Sequence, residues 1–356
     1  MRAQRSTEQP GCVLLADGEV FEGRSVAAAG TAFGEAVFTT AMGGYQEIVT
    51  DPSFAEQLIA FTAPMVGNYG VDDARLEAAV PAARAVVMRR AGGQEWCRWL
   101  AAQGIVALDE VDTRALTLHL RDAGAMQGAV VAGASDREAV MDELRLRPSM
   151  AGRALAGDVS TAKPVRLGTG DVSIGVLDYG CKRSIVRRLV GCGARVTLYP
   201  HDTPADGVLG ARHAGVLLSN GPGDPSALPD QVEAVRDLVG HVPLLGICLG
   251  HQLLARAVGL DTYKLRFGHR GANHPVLDRS TGRVLVTSQN HGFAVEGGGP
   301  EVSHVSLYDG TVEGLDLASE QARTVQFHPE AGPGPHDAWP LLEDWVQELR
   351  VERPAL

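Results

Sequence analysis

Leu244-Leu-Gly-Ile-Cys248-Leu-Gly-His-Gln-Leu-Leu-Ala255 runs an apolar strand into a helical pattern, with one cysteine at the joint and Gly246 and Gly250 on either side. This is the layout of a nucleophile elbow. A side chain on a tight strand-to-helix turn is held at the end of a sheet, and small neighbours relieve crowding where the backbone doubles back. The helix N-terminus favours thiolate over thiol and offers free N–H groups to a developing oxyanion. The plain alternative is a buried structural cysteine.

A second segment, Arg323-Thr-Val-Gln-Phe-His328-Pro-Glu330, is an alternating strand ending in a histidine and a carboxylate two residues apart. Residues i and i+2 share a strand face, so Glu330 can fix the tautomer of His328 while the other ring nitrogen addresses a thiol. Taken alone the pattern is an ordinary strand end, and its weight comes from Cys248. Leu217-Leu-Ser-Asn-Gly221-Pro-Gly223-Asp-Pro225 also follows an apolar strand. It reads either as a surface turn or as a loop whose backbone approaches a ligand. Ser288-Gln-Asn290-His-Gly292-Phe293 could hold an amino acid's charged groups, or form a hairpin edge. His251, His269, His274 and His291 match no His-Glu-x-x-His or carboxylate-triad spacing, so no metal is expected.

Apolar runs at Ile174-Gly-Val-Leu, Val196-Thr-Leu-Tyr, Gly215-Val-Leu-Leu and Val242-Pro-Leu-Leu-Gly-Ile alternate with helical patterns over Lys182 to Val190 and Gln231 to Val239. Such alternation predicts a largely parallel α/β sheet with ligand sites beyond the carboxyl ends of its strands. The first part is mixed α and β. Cys12-Val-Leu-Leu-Ala, the turn pair Asp17-Gly18 and Glu19-Val-Phe-Glu-Gly predict a hairpin of half-buried strands. Short strands follow at Ala36-Val-Phe and Leu58-Ile-Ala-Phe. A helix from Asp112 to Asp122 is capped by Asp112, with Leu116, Leu120 and Ala123 on one face. From Pro148 to Gly170 periodicity fades around Lys163-Pro164. The division is therefore a domain over 1–150, a linker over 151–170 and an α/β domain over 171–356.

The 356 residues exceed one ordinary core, and 45% hydrophobic with 21% charged residues is the composition of a globular chain. A formal charge of −11 argues against a nucleic-acid groove. The start, Met1-Arg-Ala-Gln-Arg-Ser6, leads into no apolar leader, and no stretch approaches the ~18 apolar residues of a membrane helix, so the cytoplasm is expected. Cys12, Cys97, Cys181, Cys192 and Cys248 lack paired spacing, so reduced thiols are expected and the first four read as small buried hydrophobes.

The Gly246-Ile-Cys248-Leu-Gly-His-Gln252 elbow with the distant His328-Pro-Glu330 resembles a class I glutamine amidotransferase domain, from about Asp171 onward. Met42-Gly-Gly-Tyr-Gln-Glu-Ile-Val-Thr-Asp-Pro-Ser53 and Gly67-Asn-Tyr-Gly70 resemble the amino-terminal domain of the carbamoyl-phosphate synthase small chain. Phe267-Gly-His-Arg-Gly-Ala-Asn-His-Pro275 and Glu330-Ala-Gly-Pro-Gly-Pro-His336-Asp337 are similar to later segments of that family. Departures are Gly43 where many relatives carry Thr, Cys181 where a small residue such as Ala is common, and a short C-terminal tail.

The resemblance implies that Cys248 is the nucleophile, His328 the general acid and base, and Glu330 its orienter. It implies an oxyanion hole from the N–H groups of Gly221 and Leu249. It also implies that L-glutamine is held by Ser53, Gly221, Gly223, Leu249, Gln252, Asn290, Gly292 and Phe293, with Ser53 supplied by the first domain. The product ammonia would go to a large subunit that uses ATP and Mg, since this chain has no Gly-x-x-x-x-Gly-Lys-Ser/Thr loop; no cofactor is expected here. Two other readings stand beside it: an amidotransferase subunit of a different synthase, against which the amino-terminal half argues, and a non-catalytic scaffold, against which the intact Cys248, His328, Glu330 and Gln252 argue.

Overall fold

Asp17 and Gly18 turn the chain between the antiparallel strands Pro10–Leu15 and Val20–Ser25, Gly18 taking φ of 97°, a region that favours glycine. The computed structural model describes residues 9–351, so the Met1 to Ser6 start and the tail beyond Val351 lie outside the described residues. The chain divides into two compact units, Met1–Met150 and Ala151–Leu356. No described helix is long and apolar enough to cross a membrane.

In the first unit seven strands close into a barrel. Gly30–Thr39, Gln57–Phe61, Ala85–Val87 and Val106–Asp109 are parallel neighbours, and the antiparallel strands Pro10–Leu15, Val20–Ser25 and Met126–Ala132 complete the ring. The first strand is buried on both faces rather than half-buried. Val13 and Leu15 join the main barrel core, while Cys12 and Leu14 pack with Val140 and Met141 of the helix Arg137–Arg145. Alternation along the strand produces this division. The helix Thr113–Ala123 is capped by Asp112, whose carboxylate accepts from the Ala115 N–H, an interaction typically worth ~0.5–2 kcal/mol. Leu116 and Leu120 reach the core, but Ala123, in the last turn, is exposed.

The second unit is built on a ten-stranded sheet. Its middle is parallel, in the order Ala194–Pro200, Val172–Asp178, Gly215–Leu218, Leu244–Ile247 and Ala322–Val325. Both faces are covered. Ile174, Val176, Leu217, Leu245 and Ile247 pack with the helices Arg183–Gly191 and Trp339–Val351. Leu177, Val216, Leu218 and Leu244 pack with Pro229–Leu238 and Leu249–Ala257 on the other face. Beyond Ala322–Val325 the sheet continues antiparallel through Val312–Leu317, Val302–Ser306, Thr262–Asp278 and Val284–Val295. Sequence alternation does not reveal this extension, because the 17-residue strand carries register shifts after Lys264 and Gly271.

The 151–170 stretch is built into the second unit. Val165–Leu167 pairs antiparallel with Ala194–Pro200, Gly152 N–H donates to Asp224, and Thr161 N–H donates to Asp178. Its elements are too short to leave a periodic signal.

Candidate active site

Four consecutive parallel strands end at one edge of the sheet, and the residues just past their carboxyl ends make the site. The order reverses around Val172–Asp178, with Ala194–Pro200 on one side and Gly215–Leu218 on the other, which opens a crevice at the carboxyl ends. Lys182 follows the first of the four, Asn220 and Gly221 the second, Cys248 the third, and Gln326 and His328 the fourth.

Cys248 caps the helix Leu249–Ala257 with φ 54° and ψ −104°, a strained conformation for a residue with a side chain. Its neighbours leave no choice about size. A Cβ on Gly250 would lie 2.1 Å from the Leu218 carbonyl oxygen, and one on Gly246 would lie 2.8 Å from that of Gly250. As the first helical residue, Leu249 has an N–H with no partner inside the helix. The Cys248 thiol donates to the Asn290 carbonyl at 3.6 Å.

His328 and Cys248 extend from paired strands, Ile247 standing opposite Val325. The elbow helix grips the histidine strand twice, His251 Nδ1 meeting Thr324 Oγ1 at 2.7 Å and Gln252 Nε2 donating to Gln326 Oε1 at 2.9 Å. Burial, helped by nearby His304, lowers His251 to about 3, so its ring is neutral. Gln252 also donates to the Phe293 carbonyl at 2.9 Å, tying in the Val284–Val295 strand.

Glu330 Oε1 lies 2.7 Å from His328 Nδ1 and 2.7 Å from Lys182 Nζ, and the ammonium also donates to the Gly332 carbonyl at 2.6 Å. Cys248, Lys182, His328 and Glu330 are each at most 4% exposed. Burial alone would lower the basicity of His328, but the Glu330 charge and the hydrogen bond to it outweigh this and push the ring up to about 10. Burial likewise works against the ionised Glu330, yet Lys182 and His328 hold it well below the usual carboxylate range. The ring is therefore the proton holder beside a thiol, with a permanently ionised carboxylate behind it. Such a set can form a thiolate, attack a carbonyl carbon and protonate a leaving group.

The residues singled out for substrate divide by location. Cys248, Gln252, Asn290 and Phe293 are joined by hydrogen bonds, Gly292 lies between the last two, and Leu249 opens the elbow helix. Gly221 and Gly223 are demanded by packing: a Cβ would come within 2.1 Å of the Tyr179 oxygen and 2.5 Å of the Arg153 oxygen, respectively, and Gly223 takes φ of 94°. Ser53 lies in the first unit, in the 3-10 turn Pro52–Phe54, its N–H bonded to Asp51. Sequence reasoning missed Lys182 and Gln326. Neither leaves a local signal, since Lys182 reads as the polar start of a helix and Gln326 as one more position in an alternating strand.

Known proteins resemble both units. Residues 175–347 match the family model described as glutamine amidotransferase class-I, and residues 13–130 match that of the carbamoyl-phosphate synthase small chain, CPSase domain. The carbamoyl phosphate synthase small chain of Syntrophotalea carbinolica is 42% identical over 96% of this chain and 98% of its own length. That of Listeria innocua is 42% identical over 96% and 97%, and that of Thermotoga maritima 42% over 96% and 98%.

Proposed function

The chain belongs to the carbamoyl-phosphate synthase small-chain family, the glutamine-hydrolysing part of that synthase, and we propose that it does this work through Cys248, His328 and Glu330. The observation that carries the assignment of residues is the buried His328–Glu330 pair, with Cys248 at the end of the neighbouring parallel strand.

The proton of Cys248 rests on His328 as imidazolium, and the thiolate Sγ attacks the carboxamide carbon of L-glutamine. Negative charge collects on the carboxamide oxygen, against the N–H groups of Leu249 and Gly221. His328 returns the proton to the nitrogen, the C–N bond breaks and ammonia leaves. Water, deprotonated by the same ring, then cleaves the γ-glutamyl thioester to glutamate. Gln252, Asn290, Gly292, Phe293 and Gly223 hold the amino acid. Ammonia passes to the large subunit, where ATP and Mg are used to make carbamoyl phosphate from bicarbonate for arginine and pyrimidine synthesis, and this chain needs no cofactor for its own half. Five free thiols fit a reducing cytoplasm.

A glutamine-like alkylating reagent tests the assignment. Cys248 is expected to be labelled ahead of the other four thiols, with glutamine protecting it; peptide mapping that finds Cys97 or Cys181 modified first contradicts the reading.

A further inference from the structure

Three buried polar atoms face one another inside the second unit, away from Cys248, His328 and Glu330, with no hydrogen bond among them. His269 and His291 are direct cross-strand partners in the pair Thr262–Asp278 and Val284–Val295, their ring centroids 4.9 Å apart. Glu313 comes from the third strand, Val312–Leu317.

The protons on both rings are fixed from outside. His291 Nδ1 sits 2.7 Å from the Phe293 carbonyl and must donate to it, which leaves the lone pair of the neutral ring on Nε2. His269 Nε2 sits 2.8 Å from Asp309 Oδ2, which in the neutral ring leaves the lone pair on Nδ1. Glu313 Oε2 accepts from Gln289 Nε2 at 2.7 Å, and Oε1 turns to the rings, 3.6 Å from His269 Nδ1 and 3.9 Å from His291 Nε2. None of the three facing atoms has a hydrogen-bond partner among the described residues, and the side chains are 7%, 1% and 0% exposed for His269, His291 and Glu313.

Buried lone pairs that converge without a donor are costly, and a cation placed among them satisfies all three together. We propose that His269 Nδ1, His291 Nε2 and Glu313 Oε1 bind a divalent transition metal, Zn(II) by their donor chemistry, with water as the fourth ligand. The three atoms lie within 4.8 Å of one another, so a centre equidistant from them is no more than about 2.5 Å from each, a few tenths of an ångström from the ~2.0–2.2 Å that Zn(II) takes from imidazole and carboxylate. The outer partners have the usual form, a carboxylate behind one imidazole and a backbone carbonyl behind the other. Burial holds His291 well below its ordinary pKa, with Arg270 adding to this; at His269 burial is outweighed by Glu313 and Asp309, which raise the ring, so an ion bound here displaces the proton on that ring. Against the Arg270 charge stand two carboxylates, Glu313 and Asp309. Spacing in the sequence hides the set because its members come from three strands. The ion would stiffen residues 290–293, the stretch that meets Cys248 and Gln252.

Metal analysis of the full chain, freed of any affinity tag, decides the matter, followed by chelation and titration with Co(II), whose visible bands report low-symmetry coordination. About one Zn(II) per chain and Co(II) bands are expected, both lost in Glu313→Gln and His269→Gln, with folding verified by circular dichroism. Asp309→Asn, which leaves all three ligands in place, is expected to weaken the metal by roughly 10–100-fold. Folded wild-type chain that carries no metal and gives no Co(II) bands overturns the proposal, and the cluster then holds a proton between His269 and Glu313. Full retention of metal by Glu313→Gln overturns it as well.

Discussion

Lys182 Nζ and His328 Nδ1 share a single oxygen, Glu330 Oε1, at 2.7 Å each. The carboxylate bound to the His328 ring is thus also the counter-ion of a lysine that is 2% exposed. Structure and chemistry are coupled through one atom, and the substitutions that probe catalysis will also probe stability.

Glu330→Gln is expected to destabilise the chain by about 3–5 kcal/mol, because it leaves the buried Lys182 ammonium without its carboxylate, and Lys182→Met by less, because Glu330 keeps His328 as a partner. The double variant should be far less destabilised than the sum, since it removes both charges. Urea unfolding of the three variants measures this; additive losses would show that the pair is not coupled.

In hydrolysis, Glu330→Gln is expected to lose less rate than Cys248→Ser, roughly 10²–10⁴-fold, the usual worth of acid–base participation, because the nucleophile remains. The assay is glutamate release by protein shown to be folded. Equal and total loss in both variants would give Glu330 a direct chemical role.

The elbow was legible because its determinants are local: Gly246, Cys248 and Gly250 lie within five residues, and the steric demand that selects them acts over that distance. That His328 and Cys248 lie past neighbouring strand ends was legible at one remove, since both residues follow apolar strands and adjacent parallel strands end together. Lys182 was not, because its contact with Glu330 spans 148 positions and depends on which strands become neighbours. The antiparallel extension stayed hidden for a different reason. Shifts in register break the period-two pattern around His269 and His274, in the same stretch that gathers the histidines. Ala123 kept the helical spacing but not the burial, because at the end of its helix nothing packs over it.

Gly250→Ala is expected to cost about 1–3 kcal/mol and to displace Cys248, since the new methyl group meets a backbone oxygen that cannot move aside. Gly191→Ala, where a Cβ meets nothing within 4 Å, is the control and should be close to neutral. Thermal melts and glutaminase rates of the two variants test the comparison, and an active, fully stable Gly250→Ala would contradict the packing account of the elbow.

Stability should also follow the His328 proton. Its folded value, pushed up to about 10, lies above the ordinary ~6.5, so the folded chain binds this proton more tightly than the unfolded one. The contribution is complete below about pH 6.5 and is lost as the pH rises through about 10. The difference in unfolding free energy between wild type and His328→Gln should therefore shrink across that window. A difference that stays constant would mean that the ring is neutral throughout.

The central claim is that this chain releases the nitrogen and its large partner does the rest. The most direct measurement is carbamoyl phosphate formation by the complex of the two subunits, from glutamine and from an ammonium salt, with wild-type and Cys248→Ser small chains. Cys248→Ser is expected to abolish synthesis from glutamine while synthesis from ammonia continues, because an alcohol at that position lacks the readily formed anion. Loss of both activities together in an intact complex would mean that this chain takes part in the synthetic chemistry itself, and would contradict the account.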